Sequence, residues 1–523
     1  MYLVLRRKFD YACWCDWPKE YAFRDKSALK QLQQENGHDL AVEQVIQFFF
    51  SQQWCALRDY CKERDIKVMG DVAIFVNYDS ADVWTHPGEF ELDELGKPSF
   101  VSGVPPDYFS ETGQKWGNPL YRWDEMQRNG FQWWAARTRR AMQLYAALAT
   151  ALLYTKGPGP EVDAAWSKVL ELAQSLQDSD YGLRALWGLW ASRVNTGEPR
   201  LALEHARAFV STAASRADSV DSLIGERMTG MALHLLGDQT SARQHTERML
   251  SGYVTASHPS DIIRFQFDQR VMARTTLAHI LWLQGFPNQA VRLAQENTDD
   301  ALAIDHATSL CNSLAHTTCR LALLTGDLMA AEHYVSMLIG HSERHALWFW
   351  RIWGRCFRGV LLIKRNEVTV GLQDLRVALA ELKASGLGAP YTAAFFGELA
   401  EGQGRSGEIA QGLAVIDDTL ERATHNEERW CISELMRIKG ELLLRGNVSN
   451  AGPMAEDLFR QALDFASAQG ALSWELRCAT SLARLLHEQR RTREAHELLT
   501  PIYGRFTEGF DTVDLIAAKA LLP

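Results

Sequence analysis

The stretch GVPPDYFSETGQKWGNPLYRWD, residues 103–124, gathers carboxylates, two amides and five aromatic rings into one short run. Asp107, Glu111 and Asp124 are the carboxylates near enough in sequence to be considered as a general acid/base pair. That chemistry needs two carboxyl groups held about 5 Å apart in a retaining enzyme. A loop does not fix two groups in that way without a scaffold beneath it, so the run by itself supplies no catalytic pair. Pro105 and Pro106 remove two backbone donors, and the segment is expected to resist both helix and ladder and to hold Tyr108 and Phe109 clear of them. Aromatic faces beside Asp107 and Gln114 suit a ligand that presents C–H surface and hydroxyls together. Trp116, Trp123 and Trp133 also fit the commoner role of core aromatics.

The remaining reactive side chains form weaker patterns. HSERH sets His341 and His345 four positions apart on a helix. Its Glu is misplaced for H-E-x-x-H and no third ligand is evident, so two surface or half-buried histidines are the expectation. Cys13 and Cys15 lack the C-x-x-C spacing, and nine scattered cysteines read as reduced thiols. The chain contains no G-x-x-x-x-G-K-[ST] phosphate loop. Neither a cofactor nor a metal is expected.

The elements that must position these residues follow two grammars. The 523 residues suffice for two or more domains or one long repeat array. Apolar content of 46% and charged content of 23% are those of an ordinary globular protein. A formal charge of -10 argues against nucleic acid or an anionic membrane as partner. The first residues lack the apolar core of a signal peptide, and the longest apolar run, near Ala146–Tyr154, is too short to span a bilayer. A cytoplasmic protein is expected.

From about residue 150 onward the chain reads as helix interrupted by turns at Gly197, Gly237, Gly285, Gly326, Asn366, Gly404, Gly446 and Arg490, a period of about 40 residues. Two helices joined by a short Gly-containing turn, repeated, specify an α-solenoid in which each pair covers the apolar face of the last. The first 145 residues hold eight of the 17 tryptophans. DLAVEQVIQFFFSQQWCALRDYCKERDI predicts an amphipathic helix with Val42, Ile46, Phe49 or Phe50, Leu57 and Cys61 facing inward. KVMGDVAIFV predicts a buried strand, and GFQWWAARTRRAMQLY a further helix. Helix, strand, long loop and helix make a slice of a (β/α) barrel, in which the loops carry the site. The fold class is therefore mainly α: a solenoid of tetratricopeptide-like helix pairs over 146–523, preceded over 1–145 by an incomplete barrel fragment. A lone parallel strand leaves its backbone groups without partners, so poor order is expected of the fragment.

GDVAIFVNYDSADVW and GVPPDYFSETGQKWGNPLYRWD, with WPKEYAFRD and QFFFSQQW upstream, resemble the 4-α-glucanotransferases (amylomaltases, disproportionating enzymes) of glycoside hydrolase family 77, over residues 8–145. The resemblance implies a loop lying over a groove for α-1,4-glucans, with Asp107, Tyr108, Phe109, Gln114 and Trp116 contacting the sugar. It matches Asp71 to a carboxylate on the third barrel strand; as a bare residue, Asp71 also fits a strand-end carboxylate satisfied by backbone donors. Residues 144–522, through ALLYTKGPGPEVDAAWSKVLELAQSL, RALWGLWASRVNTGE and YGRFTEGFDTVDL, resemble the tetratricopeptide-type C-terminal region of bacterial ATPase-containing regulators and cyclases, which implies a protein partner.

The family's nucleophile lies in an RIDHFRG-type motif that should follow RAMQLY; here Leu144 and Tyr145 run into AALATALLYTKGPG instead. The segments for the acid/base Glu and stabilising Asp are expected to be missing too, as are the first two barrel strands. The expectation is a chain that resembles a glucanotransferase but lacks its catalytic carboxylates. RTRRAMQLYAALATALLYTKG serves both resemblances, which points to a gene fusion or an assembly chimera joined at residues 141–146. The alternative reading is a non-catalytic helical-repeat interaction or sensor module.

Overall fold

The computed structural model describes residues 1–62, 75–104, 112–214, 219–253, 264–385, 389–446 and 449–522. They fall into two compact units, Met1–Arg140 and Ala141–Pro523.

The first unit is built on tryptophan. Trp14, Trp17, Trp84, Phe90, Tyr121, Met126 and Trp133 are buried together with Tyr2 and Leu5. An indole N–H taken out of water needs an acceptor, and three find backbone carbonyls at 3.0 Å: Trp14 with Tyr78, Trp17 with Ala12, and Trp84 with Tyr21. Asp79 ties the stretch after the expected strand to the first helix, Tyr2–Lys8: it accepts from the Tyr2 hydroxyl at 2.7 Å and pairs with Arg6 at 3.0 Å. Burial and the Asp79 carboxylate together push the Tyr2 phenol up from its ordinary value. Among the described residues the sheet is one antiparallel ribbon, β1 (Val101–Val104) with β2 (Gln114–Pro119). The flanks of the aromatic run thus do form a ladder, contrary to the expectation from Pro105 and Pro106, which fall on 105–111, outside the described residues. The expected strand KVMGDVAIFV lies mostly on 63–74 and is also outside them.

Helix Gly37–Lys62 forms where its apolar period predicts it, but its side chains are not inward. Val42, Ile46, Phe49 and Phe50 are exposed, as are Val45, Phe48 and Trp54; the side chains of Leu57 and Cys61 are not described. Periodicity identifies an apolar side, and burying it takes a second layer. The described elements meeting this helix are Tyr2–Lys8 and Lys26–Glu35, and the Arg7–Glu43 ion pair (2.5 Å) forms at its N-terminal end.

Among its described residues the second unit contains eight antiparallel helix pairs: Ser179–Thr196/Pro199–Ala213, Ser219–Leu236/Gln239–Gly252, Gln269–Leu283/Pro287–Ile304, Ala307–Thr325/Leu328–Arg344, Trp348–Lys364/Val368–Ala384, Ala389–Arg405/Ile409–His425, Ile432–Arg445/Ala451–Ala468 and Leu472–Glu488/Thr492–Tyr503. Asp178, Asp238, Asp268 and Asp327 cap helix starts with their side chains. Gly197, Gly237, Gly285, Gly326, Asn366 and Arg490 adopt positive φ at the expected turns. Gly404 does not: it lies inside helix Ala389–Arg405, and Gly407 makes that turn. Gly446 caps its helix with right-handed φ.

The array also meets itself five pairs further on. Helices Ser179–Thr196 and Ala389–Arg405, from the first and sixth pairs, are in contact. The Leu235 carbonyl ending the second pair's inner helix accepts from the Arg429 and Trp430 N–H groups (2.8 and 3.3 Å) that precede the seventh pair. Trp282 in the third pair packs edge-to-face on Trp474 in the eighth at 4.7 Å. At the fourth, Gly326 approaches Val513 of the terminal helix so closely that a Cβ would lie 2.1 Å from a Val513 methyl. Gly326→Ala is therefore expected to cost about 2–4 kcal/mol, strain and overpacking combined. Gly407→Ala, with similar φ but open space around it, should cost about 1 kcal/mol. Denaturant midpoints of the two variants measure the difference.

Candidate functional site

Of the residues expected to meet sugar, Gln114 and Trp116 are described, and β2 brings them together. One position intervenes, so both point to the same face of the ribbon, and the Trp116 indole N–H donates to Gln114 Oε1 at 3.1 Å. Trp116 is 46% exposed and its ring meets Phe75 edge-to-face at 5.8 Å. Phe75 stacks on Tyr121, which touches Trp123 at 5.2 Å; Trp123 is also exposed. The result is a braced aromatic surface with one amide. Trp133 is a core side chain against Phe90 and Trp134. Asp71, Asp107, Tyr108 and Phe109 lie outside the described residues. Asp124 and Glu125 open the helix Trp123–Arg128, and Glu125 is paired with Arg128 at 2.5 Å.

His341 and His345 stand with ring centroids 4.4 Å apart at the end of helix Leu328–Arg344. Burial and the neighbouring His345 lower the His341 pKa, which opposes cation character. No cluster of three His, Cys, Asp or Glu suited to a metal occurs among the described residues. Cys13 and Cys15 have sulfurs 3.4 Å apart as free thiols, and burial pushes the Cys13 thiol up to about 12. That value leaves it protonated and a poor nucleophile near neutral pH.

The repeat unit holds an arrangement that sequence reasoning missed. Between Ala307–Ser313 and Cys319–Thr325 one turn, Leu314–Thr318, is a π-helix, a widening that re-aims the side chains beside it. It sets His316 against Trp353 (4.5 Å) and Tyr391 (5.3 Å). Arg320, one turn on, is buried among rings, 4.8 Å from Tyr391 and 5.7 Å from Phe395 and Trp430. Its Nε and one terminal nitrogen have no hydrogen-bond partner. Desolvation lowers its pKa to about 10, so it stays cationic at neutral pH. The same burial pushes His234 down to about 4 and His316 to about 3, and lowers His279 well below its ordinary value. His234 Nδ1 bonds Gln239 Oε1 at 2.8 Å, which fixes the neutral tautomer with the proton on Nδ1. Glu428 accepts from Trp430 Nε1 (3.0 Å) and from the Tyr391 N–H (3.3 Å), and burial raises its pKa.

The repeat unit also holds two cavities of opposite character. One, about 390 Å³, is walled by charged groups such as Lys364, Arg437, Arg477 and Asp514. Those charges are largely matched internally: Arg437 and Arg477 share Glu434, and Arg477 also pairs with Asp514 at 2.8 Å. The other, about 330 Å³, is walled by aromatic rings. The signal in the sequence was present. Inner helices such as Gln269–Leu283 are buried nearly all round, polar residues included, and such a helix belongs to an interior layer.

Residues 1–149 match the 4-alpha-glucanotransferase family, glycoside hydrolase 77. The 4-alpha-glucanotransferase of Thermus thermophilus is 43% identical over 145 residues, 28% of this chain and 29% of that enzyme. The chloroplastic/amyloplastic 4-alpha-glucanotransferase of Oryza sativa subsp. japonica is 43% identical over 145 residues, 28% of this chain and 24% of its own length. The chain thus spans less than a third of the curated relatives it matches. Among solved structures, a Pyrococcus horikoshii signal-transduction ATPase with a tetratricopeptide repeat sensor aligns over 73% of this chain and 60% of its own, at 11% identity and a TM-score of 0.34. No helix among the described residues is long and apolar enough to cross a membrane.

Proposed function

We propose that the first 145 residues are a glucan-recognising segment without turnover, and that residues 146–523 are a non-catalytic binding module joined to it by fusion. The observation that carries the first part is where the likeness stops. It ends at residue 149, and the chain continues as helix pairs where a glucanotransferase would bring its nucleophile. A retaining transfer needs two fixed carboxyl groups, and the sheet among the described residues is a two-stranded ribbon and not a barrel. Gln114 and Trp116 are the contacts offered to an α-1,4-glucan, and the family likeness adds Asp71, Asp107, Tyr108 and Phe109 to the residues proposed to meet it. A glucose ring lays its C–H face on Trp116 while the Gln114 amide meets its hydroxyls.

Incubation of the full chain with maltotriose is expected to release no glucose and form no longer maltooligosaccharides. Disproportionation that survives Trp116→Ala but not Asp107→Asn would overturn the inactive reading. Long single-molecule reads of the coding DNA across codons 141–146 test the fusion, which two separate frames would remove. The alternative, a module working through the repeats alone, is supported by a second unit with its own continuous core from Leu183 to Trp474. Capture of a protein partner by residues 146–523 tests it.

A further inference from the structure

The aromatic cavity is formed by the inner helices of six successive pairs, from Trp187 and Trp190 in the first to Tyr391 in the sixth. Trp348, Trp350 and Trp353 close one side. Its lining includes no Asp, Glu, Lys or Arg among the described residues. Arg227 and Arg320 sit 4.8 Å from the Trp190 and Tyr391 rings, and neither belongs to the lining. The polar groups that line it include Asn195, Gln266, Thr275, Asn312 and His316, and none of these carries a charge at neutral pH, burial holding the His316 imidazole neutral. The Thr275 hydroxyl has one proton, which the Val271 carbonyl accepts at 2.8 Å; Asn312 Oδ1 lies 3.3 Å from the same hydroxyl.

We propose that this cavity binds an uncharged small molecule with a flat, ring-bearing apolar body. Its volume, its ring-lined walls and its few neutral hydrogen-bonding groups together define a ligand pocket. A charged ligand would leave water without a counter-charge in the lining, which costs more than ring contacts return. A flat ring gains stacking on several tryptophans at once. Trp187 Nε1, Trp353 Nε1 and His316 Nδ1 have no hydrogen-bond partner. Buried polar atoms left unpaired, here two indole donors and one imidazole nitrogen, lower stability, so this wall is not arranged for packing alone. The inference rests on the reading of the repeats as a binding module. Loss of the small-molecule site with protein capture intact would remove the cavity's role and leave that reading standing.

Two dyes of one skeleton test it on the full chain: neutral N-phenyl-1-naphthylamine and anionic 1-anilinonaphthalene-8-sulfonate, followed by quenching of tryptophan emission. The neutral dye is expected to bind at least tenfold more tightly. Trp348→Ala, at a ring that is 42% exposed and so dispensable to the core, should weaken it at least fivefold. Met272→Trp, which fills the cavity, should do the same and decides the matter should the first variant unfold. Equal affinity for both dyes, or a neutral-dye affinity within twofold of the parent in both folded variants, overturns the proposal.

Discussion

Acidification from pH 7 to pH 5 is expected to destabilise the repeat unit, with the denaturant midpoint falling steeply below pH 6.5. His234 and His279 are 0% and 3% exposed, and both are held neutral by burial, His234 with a pKa of about 4. In the unfolded chain each titrates near 6.5. The unfolded state therefore binds more protons throughout the window from about 6.5 down to about 4, and stability falls as pH falls. Two protons correspond to about 3 kcal/mol per pH unit near pH 5.5, and His316 at the cavity wall adds to this. Arg320 faces all three rings and strengthens the effect, since its charge lowers each of them. Glu428 opposes it: its raised pKa means the native state takes up that proton first. One carboxyl does not offset two or three imidazoles. Guanidinium titrations at pH 7.5, 6.5, 5.5 and 5.0 measure the slope. The double variant His234→Gln/His279→Asn should flatten it, and a parent midpoint unchanged between pH 7 and pH 5 would sink the account.

Replacing Phe48, Phe49 and Phe50 together by Glu is expected to abolish self-association of the chain and raise its soluble yield several-fold. These rings are 57%, 54% and 62% exposed, and Val42, Val45, Ile46 and Trp54 on the same helix are exposed with them. Contiguous apolar surface of this extent drives association in water. The helix survives the change because Glu favours helix more than Phe does. Sedimentation velocity over a hundredfold concentration range distinguishes the outcomes. A parent chain that stays monomeric at every concentration would show that this surface does not drive association.

Local features were the legible ones. A turn glycine announces itself by its own φ requirement, and Gly197, Gly237, Gly285 and Gly326 were readable for that reason. Gly404 misled because Gly407, three residues on, met the same requirement. The long motifs around Gln114 and Trp116 carried their likeness in contiguous residues. By contrast, the inward face assigned to Val42, Ile46, Phe49 and Phe50 failed because a period says which side is apolar and not whether another layer covers it. The buried Arg320 with its surrounding rings, and the aromatic cavity, escaped for a different reason. Trp187, His316 and Tyr391 belong to separate helix pairs, and only the curvature of the stack, which no local pattern encodes, brings them to one cavity.

That curvature has a kinetic consequence. In an open repeat array each unit touches its neighbours alone, so folding can begin anywhere, spread like a zipper, and tolerate loss of an end. Here the Ser473 hydroxyl bonds the carbonyl of Trp282, 191 positions earlier, and the Gln289 N–H bonds Glu508 across 219. Such distant pairings raise contact order and slow folding. They also bind the first pairs to the last in one cooperative transition. Truncation after residue 470 should therefore melt protection against hydrogen exchange in Gln269–Leu283, two hundred residues upstream, and not only at the new terminus.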